Sequence, residues 1–97
     1  MKLRFTPRAT RDLLDIADYI LERSPNASLR VRAAILDSLQ DLVMFHEAGR
    51  RQTIEGVRKV VTRKYSYLIY YGFDRSADEI VILTIQHSAR EREYEDA

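Results

Sequence analysis

Two stretches in the first half of the chain carry apolar residues at helical spacing. Thr6 and Pro7 open the first stretch as a hydroxyl N-cap and a first-turn proline, and Ser24 and Pro25 repeat that signal for the second. The first apolar stripe is Ala9, Leu13, Ile16, Ala17 and Ile20, and the second, which ends near His46, is Val31, Ala34, Ile35, Leu39, Leu42 and Phe45. Because almost no linker separates the stripes, they predict an antiparallel helix hairpin.

The rest of the chain is divided into short segments rich in β-branched and aromatic residues, which predict strands. These segments are residues 2–5, 57–62, 66–73 and 79–87, whereas residues 47–56 lack periodicity and indicate a loop. The sequence therefore predicts one α+β domain over residues 1–97. Its order is β-α-α-β-β-β, with the helix hairpin packed on one face of a mainly antiparallel four-stranded sheet.

The last two strands are apolar on both faces. Strict alternation places the side chains of the last strand on two faces. One face carries Ile80, Ile82 and Thr84, and the other carries Val81, Leu83 and Ile85. A sheet that is apolar on both faces needs cover on both, and the hairpin covers only one. We expect a partner to complete part of the second face or an edge. The alternative is that loops or the first strand cover it.

Composition removes several classes of chemistry. The chain has no cysteine and only two histidines, which excludes disulfides and thiolate sites and argues against zinc. It has no glycine-rich phosphate loop, no apolar run of bilayer length and no signal-peptide pattern. We therefore expect a cytoplasmic protein without membrane contact, cofactor or metal. Asp12, Asp15 and Asp18 are expected to form a solvated helix face.

The formal net charge of +1 hides a local basic band. Residues 50–65 contain six cations against Glu55 alone: Arg50, Arg51, Arg58, Lys59, Arg63 and Lys64. Such a band suits an anionic partner, either nucleic-acid phosphates or acidic side chains. The alternative is a solvated strand edge that its charges protect against aggregation.

The ordered combination of LRFTPRATRDLLDIADYI, RKV, YLIYY and VILTIQHSAR resembles the RelE/ParE superfamily of toxins from type II toxin–antitoxin systems. The resemblance extends from Leu3 to about Arg92. It implies a growth inhibitor associated with plasmid stabilization and neutralised by a cognate antitoxin protein in a hetero-oligomer. ParE-like members bind DNA gyrase and block replication. RelE-like members cut messenger RNA on the ribosome without a metal.

The resemblance also carries site residues. A strand lysine of the nucleases matches Lys59, and the arginine after their last strand matches Arg90. Two further cationic positions fall on Val61 and Leu68, and Tyr94 lies near the place of a C-terminal tyrosine. Since two charges are missing, the resemblance favours gyrase binding, for which the chain would not be an enzyme. A metal-independent endoribonuclease is the alternative, and a partner-binding module without toxin activity is a third.

The candidate residues follow from these alternatives. A nuclease would use Lys59, Arg63, His87 and Arg90 to stabilise phosphate charge and transfer protons. Partner binding would use Arg58, Lys59, Arg63, Lys64, Tyr71, His87 and Arg90. Simpler interpretations exist for two groups: His87 can be a strand-end residue that bonds to the backbone, and the tyrosines of residues 65–71 can pack in the core.

Overall fold

The computed structural model describes residues 1–88, and its elements follow the predicted order with one addition. The helices are α1 (Pro7–Arg23) and α2 (Pro25–Met44), and the strands are β1 (Lys2–Phe5), β2 (Arg50–Arg51), β3 (Arg58–Val61), β4 (Tyr67–Asp74) and β5 (Glu79–His87). The predicted α+β class is confirmed. The count of four strands is wrong, because β2 lies within the segment interpreted as a loop. Two residues are too few to produce an alternation signal.

A single serine separates the two helices. The Thr6 hydroxyl accepts the N–H of Ala9 at 3.0 Å and so begins α1. Ser24 ends that helix by donating its N–H to the Ile20 carbonyl at 2.7 Å. Its hydroxyl then accepts the N–H of Ala27 at 3.2 Å and begins α2. The hairpin therefore turns at one residue that serves both helix ends. Neither helix is both long and apolar enough to cross a membrane.

The sheet has the strand order β1-β5-β4-β3-β2. The first strand pairs in parallel with the last, with Leu3 opposite Ile80, and every other pairing is antiparallel. The two edges are therefore the N-terminal strand and the short β2. The basic band begins on β2 and continues on its neighbour β3.

The helices bury one face of the sheet in a single core. Its fully or nearly fully buried members include Ile35, Leu39, Leu42, Ile69, Tyr71, Ile82 and Ile85. A smaller cluster of Val57, Leu68 and Tyr70 occupies the other face, with Leu83 packed against it. Leu68 is only 3 % exposed and Tyr70 is fully buried. At the centre of the sheet the second face is thus buried within the chain, where Val57 from the segment before β3 packs on β4, so that part needs no partner to cover it.

A β-bulge changes the side-chain alternation of β5. Tyr71 is opposite Ile82 and Tyr70 is opposite Thr84, so Leu83 is the extra residue. Beyond the bulge, Ile85 returns to the helix-covered face. The sequence-based division of β5 into two faces is therefore right for Leu83 and wrong for Ile85, because strict alternation assumes an unbroken ladder.

The bulge is supported from α1. The Asp12 carboxylate accepts the backbone N–H of Ile85 at 3.0 Å and the Thr84 hydroxyl at 2.5 Å. Asp12 is therefore a half-buried acceptor for a strand end and not part of a solvated face, which corrects that expectation. Asp15 and Asp18 are exposed, as expected. Within residues 1–88 no cluster of three or more possible metal ligands occurs.

Candidate functional site

The basic band is divided between the two faces of the sheet. Arg50 is opposite Lys59, and Arg51 is opposite Arg58. Since successive strand residues point to opposite faces, each face carries one pair of facing cations. Like charges directly opposite each other are destabilising in a sheet. The band is therefore two small cationic surfaces at one edge, and each would be stabilised by an anion.

Arg58 has a structural role on the helix-covered side. It is opposite Tyr71, and one guanidinium nitrogen donates to the carbonyls of Glu47 at 3.1 Å and Gly49 at 2.9 Å. These bonds hold the segment that connects α2 to β2. The two carbonyls also fix the orientation of this guanidinium.

Lys59 lies on the second face, opposite Tyr70, and its Nζ is 6.0 Å from the centroid of that ring. Val61 is on the same face and 54 % exposed, and its partner Leu68 is buried. Val61 and Leu68 are the positions to which the resemblance assigns further nuclease cations. The surroundings of Lys59 at these two positions are therefore apolar.

The turn between β3 and β4 projects two cations into solvent. Arg63 is exposed, with its guanidinium 3.7 Å from the Asp41 carboxylate, a surface pair of little energetic consequence. Lys64 is its exposed neighbour. The next two residues, Tyr65 and Ser66, both have positive φ, at 71° and 54°. Such a conformation is uncommon for residues other than glycine, so the surrounding structure must impose it.

Buried Thr62 supplies that constraint. Its hydroxyl donates to the Lys64 carbonyl at 2.6 Å and accepts the Tyr67 N–H at 3.1 Å. The backbone of Thr62 also donates to the Tyr67 carbonyl at 2.9 Å. The turn is thus a fixed platform for its two cations and for the ring of Tyr65.

His87 lies on the opposite side of the sheet from Lys59. It is opposite Tyr67, and the two rings meet edge to face with centroids 5.3 Å apart. Tyr67 belongs to the helix-covered core, whereas Lys59 is opposite Tyr70 of the second cluster. Three residues along β4 and two strand spacings place the Cα atoms of Lys59 and His87 about 14 Å apart. Arg90 and Tyr94 lie outside the described residues.

Tyr71 is not available to a partner. Its side chain is fully buried, its hydroxyl accepts the Gly49 N–H at 2.9 Å, and it donates to the His46 carbonyl at 2.9 Å. Burial raises the pKa of this phenol above its ordinary value. The assignment of Tyr71 to partner binding is therefore corrected: the residue ties the end of α2 to the sheet. Its alternation with Ile69 and Phe73 was the sequence signal for that role.

The helix hairpin contains a feature that the sequence interpretation missed. A groove of about 260 Å³ runs between α1 and α2, lined mainly by aliphatic side chains. Leu14 and Leu36 line it and remain 61 % and 44 % exposed. Exposed apolar residues recur at intervals of seven along both helices: Leu14 and Leu21, then Leu29, Leu36 and Val43. This repeat was visible in the sequence beside the stripes that form the core.

Comparison with known families shows to which family of the superfamily the chain belongs. Residues 3–92 match the model of the family described as the ParE toxin of type II toxin–antitoxin systems, parDE. The chain belongs to this family. The match spans both helices and all five strands of the ParE-family fold described above.

Two relatives resemble this ParE-family toxin over most of their length. The toxin candidate Y4kP of Sinorhizobium fredii is 33 % identical over 87 residues, which cover 90 % of this chain and 88 % of that protein. Toxin RelE3 of Caulobacter vibrioides is 31 % identical over 88 residues, covering 89 % of this chain and 92 % of that protein. The matching family model thus carries the name ParE, and one of the two relatives carries the name RelE.

Two solved structures share the fold. The chromosomal ParDE toxin–antitoxin system from P. aeruginosa contains a chain with a TM-score of 0.76 and 27 % identity, covering 90 % of this ParE-family chain and 95 % of that one. The RelBE2 toxin–antitoxin complex from Mycobacterium tuberculosis gives a TM-score of 0.55 and 23 % identity, covering 89 % and 95 %. The second likeness concerns the fold alone.

Proposed function

We propose that this ParE-family toxin inhibits growth by binding DNA gyrase and not by cutting RNA. The observation that carries the proposal is the separation of Lys59 from His87, which lie on opposite faces of the sheet. A nuclease must place its charged and proton-transferring groups around one phosphate. The apolar Val61 and Leu68 beside Lys59 argue in the same direction. A binding mechanism requires only a complementary surface.

The β3–β4 turn is the surface that we assign to gyrase and the DNA it holds. Arg63 and Lys64 provide two exposed cations, and Tyr65 provides a ring that is 40 % exposed. Thr62 fixes the turn, so a partner would not have to order it on binding. Cations presented in this way suit phosphates and acidic side chains.

A supercoiling assay with purified toxin and gyrase tests this proposal. We expect inhibition by the native protein and an inhibitory concentration raised about tenfold when Arg63→Gln and Lys64→Gln are combined. Lys2→Gln, which removes an exposed cation from β1, should change it less than about twofold. Unaltered supercoiling together with cleavage of ribosome-bound message would establish the RelE-like endoribonuclease instead. If expression without antitoxin leaves growth unaffected, the chain is a partner-binding module without toxin activity.

The antitoxin, on this proposal, places an amphipathic helix in the groove of the hairpin. Leucine-rich stripes with a repeat of seven residues match the periodicity of such a helix. Covering the exposed part of one leucine contributes about 1–2 kcal/mol. The groove also has Arg32 on its wall, which suits an acidic residue of the antitoxin helix.

Co-purification with the cognate antitoxin tests this placement. Leu14→Gln combined with Leu36→Gln should weaken the complex by more than about tenfold, because both side chains would lose buried apolar area. Both positions are already exposed, so the melting temperature should change little. Met44→Gln is the control, since Met44 is exposed outside the groove. An unchanged complex with the double variant contradicts the placement.

A further inference from the structure

A cleft lies between α2 and the β3–β4 turn. Its volume is about 500 Å³, which is within the usual range of binding sites. One wall is the fixed turn, with Arg63, Lys64 and Tyr65. The other wall is a stripe of α2 that includes Arg30, Ala33, Ala34, Asp37 and Asp41. Among the described residues, the cleft and the groove between the helices have no lining residue in common. The two concave sites can therefore bind different partners.

The charges of the α2 wall change sign along the helix. Arg30 and Asp37 are two helical turns apart, which separates them by about 10 Å along the axis. Asp41 follows Asp37 by one further turn, a spacing at which like charges repel each other. The Arg63 guanidinium is 3.7 Å from the Asp41 carboxylate. Within residues 1–88 neither Arg30 nor Asp37 forms an ion pair. Both charges are thus open to a partner.

Two alanines lie between these charges on the same wall. Ala33 and Ala34 line the cleft with methyl groups only, so a partner can come close to the helix here. Aliphatic surface that covers them is removed from water, which favours binding. A phosphate backbone gains nothing from such a contact. The floor of the cleft therefore suits the side chains of a protein.

The order of charges distinguishes two classes of partner. A nucleic acid carries one negative charge at every nucleotide, so a strand bound at Arg30 also brings phosphates toward Asp37 and Asp41. The two carboxylates repel these phosphates. A protein segment can instead present a carboxylate to Arg30 and a cation to Asp37 at the matching distance. Such complementarity gives specificity at protein interfaces.

We propose that this cleft receives a protein segment of gyrase and not the DNA that gyrase holds. The inference rests on the proposed function, because the turn assigned to gyrase forms one wall of the cleft. The segment presents a carboxylate to Arg30, a lysine or arginine to Asp37, and aliphatic surface to the two alanines. Further acidic side chains of the same partner meet Lys64 of the turn.

Fluorescence anisotropy of the labelled chain with purified gyrase, in the absence of DNA, tests the inference. Arg30→Gln combined with Asp37→Asn leaves the net charge at +1, so attraction by net charge is unchanged. We expect this double variant to bind gyrase about 25-fold more weakly, and Asp37→Asn alone about fivefold more weakly. The matched control is Arg11→Gln with Asp15→Asn on α1, which should change binding less than about twofold. All four positions are exposed, so both double variants should keep the native melting temperature.

The direction of the Asp37→Asn effect separates the two classes of partner. Tighter binding of this variant to gyrase with DNA would place DNA in the cleft and overturn the inference. A double variant that weakens only the complex with the antitoxin would assign the cleft to the antitoxin and would also overturn it. If the native chain binds gyrase and the double variant binds equally well, the inference alone fails. If the native chain does not bind gyrase, the proposed function fails and the inference with it.

Discussion

Replacing Tyr71 with phenylalanine removes one oxygen from the centre of the fold. The hydroxyl is fully buried, accepts the Gly49 N–H and donates to the His46 carbonyl. The substitution leaves both backbone groups without their partner while the ring remains in place. Each buried group left unsatisfied costs about 1–3 kcal/mol. We expect the free energy of unfolding to fall by about 2–4 kcal/mol, a large fraction of the stability of a domain of this size.

Urea denaturation followed by circular dichroism measures this loss. With an m-value of about 1.5 kcal/mol/M, the midpoint should fall by about 1.3–2.7 M. Tyr65→Phe is the control, since Tyr65 is exposed on the β3–β4 turn, and its midpoint should remain within about 0.3 M. A loss below about 0.5 kcal/mol for Tyr71→Phe would refute the account of its hydroxyl as the tie between α2 and the sheet.

The pH dependence of stability provides a second readout of the same residue. Burial raises the pKa of Tyr71 in the folded chain, so the folded state holds the phenolic proton more tightly than the unfolded state. Its contribution is fully present below the unfolded pKa of about 10 and is lost as the pH rises through the higher folded pKa. Tyr71→Phe should therefore reduce the decline in stability at alkaline pH. Burial raises the pKa of Tyr67 too, so part of the decline should remain.

Two other predictions concern carboxylates. Asp12→Ala should lower the free energy of unfolding by about 1–3 kcal/mol, because the buried N–H of Ile85 loses its acceptor. In the same denaturation experiment, Asp15→Ala at an exposed position should change it by less than about 0.5 kcal/mol. The Ser76 hydroxyl, 2.8 Å from Asp74, is the largest cause of the lowered pKa of that carboxyl. Ser76→Ala should raise the pKa of Asp74, which an NMR titration measures. The stability that the Asp74 carboxylate contributes above its unfolded pKa should then be lost at a higher pH as the solution is acidified. An unchanged titration curve would contradict this account.

The sequence specified the helix hairpin because its signals are local. Thr6, Pro7, Ser24 and Pro25 lie at the helix starts, and the caps form as expected. The four strands β1, β3, β4 and β5 were also predicted, since β-branched and aromatic residues mark them. The strand β2 was not, because its two arginines acquire strand geometry only by pairing with β3. Its existence depends on a partner strand and not on its own composition.

The candidate site was harder to predict, because side-chain direction depends on register. The bulge at Leu83 shifts the ladder between β4 and β5, and nothing in the local sequence marks it. Strand pairing also decides that Lys59 faces Tyr70 while His87 faces Tyr67. On sequence Tyr71 is a candidate for partner binding with core packing as the alternative, and the alternation of its neighbours favours the core. The groove between the helices was not predicted, because its shape depends on how α1 and α2 pack and the exposed heptad repeat alone does not specify it.

The parallel pairing of β1 with β5 has a consequence for synthesis of the toxin. Residues 2–5 find their strand partners at residues 79–82, more than seventy residues later in the sequence. Contacts of such long sequence separation form late and slow the folding of a domain. A nascent chain on the ribosome therefore carries β1 without a neighbouring strand until residues 79–82 have emerged. A surface that depends on the complete sheet can therefore form only after β5 has emerged, whereas the helix hairpin, whose caps are local, can form before it.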